Sequence, residues 1–345
     1  MCALMRVSVI LPTRHGDPSP ALACAESLVG QLGAHDEILI SVDGVDRSGG
    51  VAPALSSWAR SGCGRVVAGA QGGPGAARNR ALEASSGELI LFLNDDVIAS
   101  PDLIRVHREA HTRRSEAGRS DAMFLGDAPW AVPSDDRVID RMMRETSWVF
   151  FYDRMDRDDP ERDWGFRHAW TLNLSVPRRV CERFDPRLAY PMFDDLDWAF
   201  RVCGTYGSRV LYLPDARVTH HHRYRAEQVL RREALLGHQA AHLYHVNREA
   251  AVCIFGDLYA TKDGVEGSIC DLDAAKLAED FAGFERIAMR ASDGLTAEEL
   301  TALFSDCRAW RAFARLVGAS GYHNGLSAED AMERGVGICK GMHEW

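Results

Sequence analysis

The triplet Asn94-Asp95-Asp96 follows the apolar run Glu88-Leu89-Ile90-Leu91-Phe92-Leu93 and sets an amide and two carboxylates at one strand end. Hard divalent cations such as Mg2+ and Mn2+ take oxygen ligands and share them with phosphates. A cation held there would neutralise charge on a departing diphosphate. Asn and Asp are also ordinary turn residues, so the triplet alone fits a solvated turn as well. A second group is Asp194-Asp195-Leu196-Asp197, where Leu196, Ala199 and Phe200 begin a helical pattern. The helix dipole favours acids at such a start. Three acids in four residues exceed what capping needs, and a positioned carboxylate suits a general base for a hydroxyl. Asp194 and Asp195 are alternatives for that role. A third group is His220-His221-His222, of which His220 is the best candidate to complete a metal site or contact phosphate. His238, His242 and His245 recur at helical spacing but lack a His-Glu-x-x-His arrangement, and they read as a polar helix face.

Such groups need a scaffold to bring them together. Val7–Leu11 reads as a buried strand closed by Pro12, and Ala21–Leu32 as an amphipathic helix. Glu37–Val42, Arg65–Ala68 and Glu88–Leu93 read as further strands, with short helices at 53–61 and 76–84 between them. The last of these strands is continuously apolar, which suggests burial on both faces. Strand and helix alternate through residues 1–110, which predicts an α/β fold with a doubly wound, mostly parallel sheet. In an open parallel sheet, ligands sit at the carboxyl ends of strands. Those ends carry Pro12-Thr13-Arg14, Asp43-Gly44-Val45-Asp46, the glycine turn 72–75 leading to Arg78-Asn79, and Asn94-Asp95-Asp96.

Residues 121–190 are less regular, and Val210–Leu213 reads as a late strand. From residue 225 the pattern is helical, with segments 226–247, 273–291, 296–317 and 328–336; Thr296 and Glu299 form a capping box. The expected organisation is a sheet domain at 1–224, divided at 110/111, followed by a helical region at 225–345. That helical region is a candidate surface for a homodimer.

Composition narrows the class. The 345 residues are 46% hydrophobic and 26% charged, which is globular. The net charge of −10 argues against nonspecific nucleic-acid binding, which needs a basic footprint. The nine cysteines include no Cys-x-x-Cys pair, and no long apolar run follows the N-terminus, so reduced thiols in a cytoplasm are expected. No stretch approaches the ~20 apolar residues of a membrane helix, which speaks against a membrane-spanning synthase.

These residues together resemble the family 2 glycosyltransferases, which have the GT-A fold. Val7–Thr13 resembles that family's opening strand. Glu37–Asp46 resembles its nucleotide-binding strand, from which Asp43 carries over as the base contact. Gly73-Pro74-Gly75-Ala76-Ala77-Arg78-Asn79 resembles its Gly-x-x-x-Ala-Arg-Asn segment, with Ala81 in place of a final glycine. Phe92–Asp96 resembles the Asp-x-Asp metal motif, with Asn94 in place of its first acid. Phe184-Asp185 with Asp194-Asp195-x-Asp197 and Arg201 resembles the acceptor segment, and 214–220 the strand that ends in a histidine. The resemblance spans residues 6–222, and the Gln-x-x-Arg-Trp motif of processive synthases is absent.

It implies inverting, non-processive transfer from a nucleoside-diphosphate sugar, UDP-sugar favoured, to a hydroxyl acceptor such as a saccharide or natural product. Asp195 would be the base, with Asp194 its rival. Asp96 and His220 would hold Mg2+ or Mn2+. Pro12, Thr13, Arg14, Asp43, Gly75, Arg78, Asn94 and Asp95 would line the donor side. Trp170, Asn173 and Asp197 would shape the acceptor side. For any single Trp, including Trp148 and Trp164, core packing is the simpler role. A sugar nucleotidyltransferase would want a glycine-rich arginine loop where Pro12–Gly16 stands, and a nicotinamide enzyme Gly-x-Gly-x-x-Gly. A catalytically inactive sugar-nucleotide-binding protein is the remaining alternative, against which the four acids Asp95, Asp96, Asp194 and Asp195 speak.

Overall fold

The computed structural model describes residues 5–45 and 49–341; Cys2 and Asp46 lie outside them. By packing, the chain divides into two compact units, residues 1–131 with 154–222, and residues 132–153 with 223–345.

The first unit is built on an eight-stranded sheet in the order β3-β2-β1-β4-β7-β6-β8-β5. Its strands are β1 (Val7–Arg14), β2 (Glu37–Asp43), β3 (Arg65–Gly69), β4 (Leu89–Leu93), β5 (Val97–Ala99), β6 (Met123–Asp127), β7 (Asn173–Pro177) and β8 (Val210–His220). Helices α1 (Ser19–Val29), α2 (Pro53–Arg60) and α3 (Gly73–Ala84) connect the first four strands, and α4 (Leu103–Glu116) and α6 (Asp194–Tyr206) follow. β1 runs parallel to β2 and β4, and β2 parallel to β3. β7 is antiparallel to both β4 and β6, β6 is parallel to β8, and β5 is antiparallel to β8. Every residue of β4 is fully buried, as its unbroken apolar run predicts.

Three local differences from the sequence reading have physical reasons. Pro12 does not end β1. It pairs with Ser41 of β2, beyond Ile10 where pairing with β4 stops, so β1 has a paired neighbour on one side only at this point, where a proline is tolerated. The glycine stretch at 72–75 is not a turn ahead of a helix at 76; α3 starts at Gly73, and the Asp43 carboxylate accepts from the Gly72 and Gly73 amides, both at 2.9 Å. The late strand runs on past Leu213 to His220, with a register shift opposite Gly126/Asp127.

The second unit is helical: α5 (Val138–Glu145), α7 (Ala226–Val246), α8 (Arg248–Phe255), α9 (Lys262–Cys270), α10 (Ala274–Ala288), α11 (Ala297–Asp306), α12 (Arg308–His323) and α13 (Ala328–Cys339). The single helix expected over 296–317 is two, separated at Cys307, and the Thr296 cap is present, accepting from the Glu299 amide. α7 and α12 touch backbone to backbone. A Cβ on Gly237 would lie 1.7 Å from the Arg315 carbonyl oxygen, and one on Gly318 would lie 1.9 Å from that of Ala234. Trp148, Phe281, Phe284 and Trp310 form an aromatic core beside that crossing. Among the described residues, no helix is long and apolar enough to cross a membrane.

Candidate active site

The turn after β4 is held from two sides. Thr13 Oγ1, from the end of β1, donates to Asp95 Oδ2 at 2.6 Å. On the other side β5 pairs with the end of β8, Val97 opposite His220, and the His221 amide donates to the Asp96 carbonyl at 2.8 Å. That pairing brings His220 Nε2 to 3.3 Å and His222 Nδ1 to 3.4 Å from Asp96 Oδ2. The other carboxylate oxygen, Asp96 Oδ1, is buried with no hydrogen-bond partner among the described residues. One orphaned carboxylate oxygen beside two imidazoles is a donor set that suits a divalent cation. Among the described residues, no three His, Cys, Asp or Glu groups are already arranged as a metal cluster.

The carboxyls of the two acids of this turn are shifted in opposite directions. Burial pushes the Asp95 carboxyl above its ordinary value; the Thr13 hydrogen bond opposes this, and the adjacent Asp96 charge adds to it. Burial acts on Asp96 in the same direction, but hydrogen bonds from His220 and His222 outweigh it and hold Asp96 below the usual carboxylate range. Asp96 is therefore the stronger acid of the two. His222 is the residue the sequence reading underrated. It continues the two-residue period of β8 beyond His220, and that period was the available signal. The Trp130 ring packs on His220, centroids 4.2 Å apart.

The second acidic group sits at the start of α6. The chain enters the helix through Met192 and Phe193, whose φ values of +137° and +63° are strained for residues with side chains. That turn aims Asp194 and Asp195 in a way no helical pattern foretells. Arg78 of α3 meets Asp194, Nη1 to Oδ2 at 2.8 Å, with both side chains almost fully buried. Its Nη2 reaches Asn94 Oδ1 at 3.3 Å, so one guanidinium links the turn after β4 to the start of α6. Gly75 permits this approach, because a Cβ there would lie 3.1 Å from Phe184 Cβ and 3.8 Å from Asp194 Cβ. Asn79 fixes the same loop, donating to the Phe184 carbonyl and accepting from its amide, both at 2.8 Å.

Burial raises the Asp194 carboxyl, with Arg78 opposing. Burial, then the Asp194 charge, push Asp195 up to about 7. A carboxylate near neutrality is matched to proton transfer at physiological pH.

The remaining candidates separate. Arg14 and Asp43 line a pocket of about 270 Å³ with His15, Gly44, Val45, Ala70 and Gln71, at the carboxyl ends of β1 to β3. The Asp43 carboxylate is engaged with the start of α3 and with Arg80. Pro12 is buried within β1. Asn173 is completely buried and donates to the carbonyls of Asp127 and Ala216, while its oxygen meets His107. Asp197 is buried and paired with Arg201 at 3.0 Å. Trp170 is buried, its ring 5.3 Å from that of His168. Trp148 lies in the core of the helical unit.

A sheet of this order, with acids gathered where its parallel strands end, has the GT-A architecture. The family described as Glycosyl transferase family 2 matches residues 8–169, and the chain is a glycosyltransferase carrying a family 2 domain there. The mannosyltransferase PcManGT from Pyrobaculum calidifontis, in complex with GDP-Man and Mn2+, shares the fold with a TM-score of 0.50 at 13% identity, over 94% of this chain and 88% of that one. S. aureus TarS 1-349 in complex with UDP aligns with a TM-score of 0.46 at 13% identity, over 93% and 92%. No curated protein matches the sequence.

Proposed function

We propose that this enzyme moves a sugar from a nucleoside-diphosphate sugar to an acceptor hydroxyl with inversion, using Asp195 as base. The observation that carries this reading is the Arg78 bridge. It ties the acid turn at 94–96 to a carboxylate pair whose second member, Asp195, sits near pH 7. Asp195 takes the proton of the acceptor hydroxyl. The hydroxyl oxygen forms a bond to the anomeric carbon on the face opposite the diphosphate, and the bond to the diphosphate oxygen breaks. Asp96, with His220 and His222, is the proposed holder of Mg2+ or Mn2+, whose charge would stabilise the leaving diphosphate. The Mn2+ and GDP-Man in the Pyrobaculum enzyme support a divalent metal and a nucleoside-diphosphate sugar as donor. The pocket at Arg14 and Gln71 is the proposed base site, and uridine is the base implied by the sequence resemblance.

The test is calorimetric titration of nucleoside diphosphates with and without Mn2+, together with single-turnover transfer. Asp96→Ala should lose the metal-dependent part of the binding. Asp195→Asn should bind donor as the parent does and transfer at least ~100-fold more slowly, the lower range for loss of a general base. Undiminished turnover in Asp195→Asn would end the assignment of the base. Binding in Asp96→Ala with unchanged metal dependence would end that of the metal.

A further inference from the structure

We propose that Arg78 is a positioning residue that holds Asp194 beside the base, and that the uncharged Asn94 is what keeps it there. The inference rests on the assignment of Asp195 above. Three observations carry it. Arg78 is only 4% exposed, and its guanidinium is shared unequally, 2.8 Å to Asp194 and 3.3 Å to Asn94. Its Nε–H is buried without an acceptor among the described residues, so the group has capacity for a second carboxylate. Its plane is steadied by the Phe184 ring, 5.4 Å away, within the loop that Asn79 clamps.

A guanidinium and a carboxylate carry opposite full charges, whereas an amide oxygen offers only a dipole, so in a buried site the carboxylate is the stronger partner. With Asn at position 94, Arg78 favours Asp194. With an acid there, the two carboxylates would compete for one cation, and Asp194 would lose part of its partner. The charged groups acting most strongly on Asp195 are Asp194 on its own helix and Arg78 from α3, so such a competition reaches the base directly. Asn94 therefore sets the chemistry of the base segment rather than the affinity of the turn for metal.

The discriminating variant is Asn94→Asp. If position 94 serves the metal, the added acid tightens Mn2+ binding and leaves kcat equal or higher. On the proposal, kcat at pH 7 falls about 5- to 10-fold, the KM for donor changes less than about twofold, and the acid limb of the kcat profile moves up by up to about one pH unit. Arg78→Lys, which keeps the charge but not the two-way fork, should lower kcat in the same manner with donor binding preserved. Thermal melts confirm that each variant is folded; should Arg78→Lys fail to fold, Asn94→Asp decides alone. Parental kcat with an unmoved pH profile in Asn94→Asp overturns the proposal. Asp195→Asn, run alongside, separates the two readings: if it is inactive while Asn94→Asp behaves as the parent, the base stands and this inference falls. If Asp195→Asn remains active, the base assignment falls first.

Discussion

Each of the two units buries a carboxylate against arginine, and the balance of charge is opposite in the two. At the start of α6, two acids, Asp194 and Asp195, share one arginine, Arg78. In the helical unit a single acid, Glu233 of α7, is wholly buried and meets Arg311 Nε at 3.0 Å, Arg315, and the Trp148 indole N–H at 3.3 Å, with Arg232 at 3.8 Å. Burial pushes all three carboxyls up. The arginines around Glu233 outweigh it and leave that group below its ordinary value, whereas Asp194 and Asp195 end above theirs. A surplus of cations makes a fixed strut; a surplus of acids makes a group that can take up a proton near neutrality. Burial alone therefore does not separate the two clusters; the local count of opposite charges does, and it agrees with the base proposed for Asp195.

The strongest test of the strut removes its acid. Glu233→Ala leaves two arginines packed against α7 with no counter-charge, and loss of one partner of a buried ion pair costs about 3–5 kcal/mol. Urea denaturation should show that loss. A change below about 1 kcal/mol would mean that the cluster is solvated and that the comparison is empty.

Next in size is the crossing that sets the strut in place. Gly318→Ala puts a methyl group where the Ala234 carbonyl lies 1.9 Å away, and α7 and α12 must separate to admit it. The cost expected of such overpacking is about 1–3 kcal/mol, with Gly237→Ala comparable. The same substitution at Gly204, which has nothing within 4 Å, should be close to neutral and serves as the control. Equal melting temperatures for Gly318→Ala and the parent would show that the helices do not pack as described.

How far the sequence disclosed these two regions depends on where polar side chains lie. The first four strands were legible because their runs are mostly apolar, and in β4 unbroken, and so were the acids at their ends. α4 and β7 were not, because their contact is polar. His107 Nδ1 and His111 Nε2 of α4 each meet Ser175 Oγ of β7 at 2.8 Å, and His107 Nε2 meets Asn173 at 3.0 Å, all buried. Burial pushes the His107 imidazole down to about 4, so this seam is neutral, but it hides the apolar stripe from which helix and strand are read. The same seam accounts for Asn173, which the family resemblance places near an acceptor and which the fold engages with backbone carbonyls. The acids at 194 and 195 were visible, and their geometry was not. It depends on positive φ at Met192 and Phe193, residues whose types give no sign of it. The glycines at 237 and 318 lie within helical patterns, where spacing alone does not distinguish a contact from a weak point.

The smallest expected effect is the one that distinguishes the two clusters by pH. A carboxyl raised in the folded state opposes folding once it must ionise. For Asp195 that penalty is absent below the unfolded value of about 3.9 and complete above about 7. Glu233 is lowered, so its contribution has the other sign: it is present above the unfolded value of about 4.3 and is lost as pH falls through its folded value. Asp195→Asn removes the first penalty. Its unfolding free energy in urea should equal that of the parent near pH 4 and exceed it at pH 8, by an amount on the order of 1 kcal/mol, since Asp195 is only partly buried. Glu233→Gln, by contrast, should be less stable than the parent at pH 8, with the gap closing as the pH falls. If Asp195→Asn were destabilised at pH 8 as well, Asp195 would be a second strut, and the contrast between an acid-rich reactive cluster and an arginine-rich structural one would not hold.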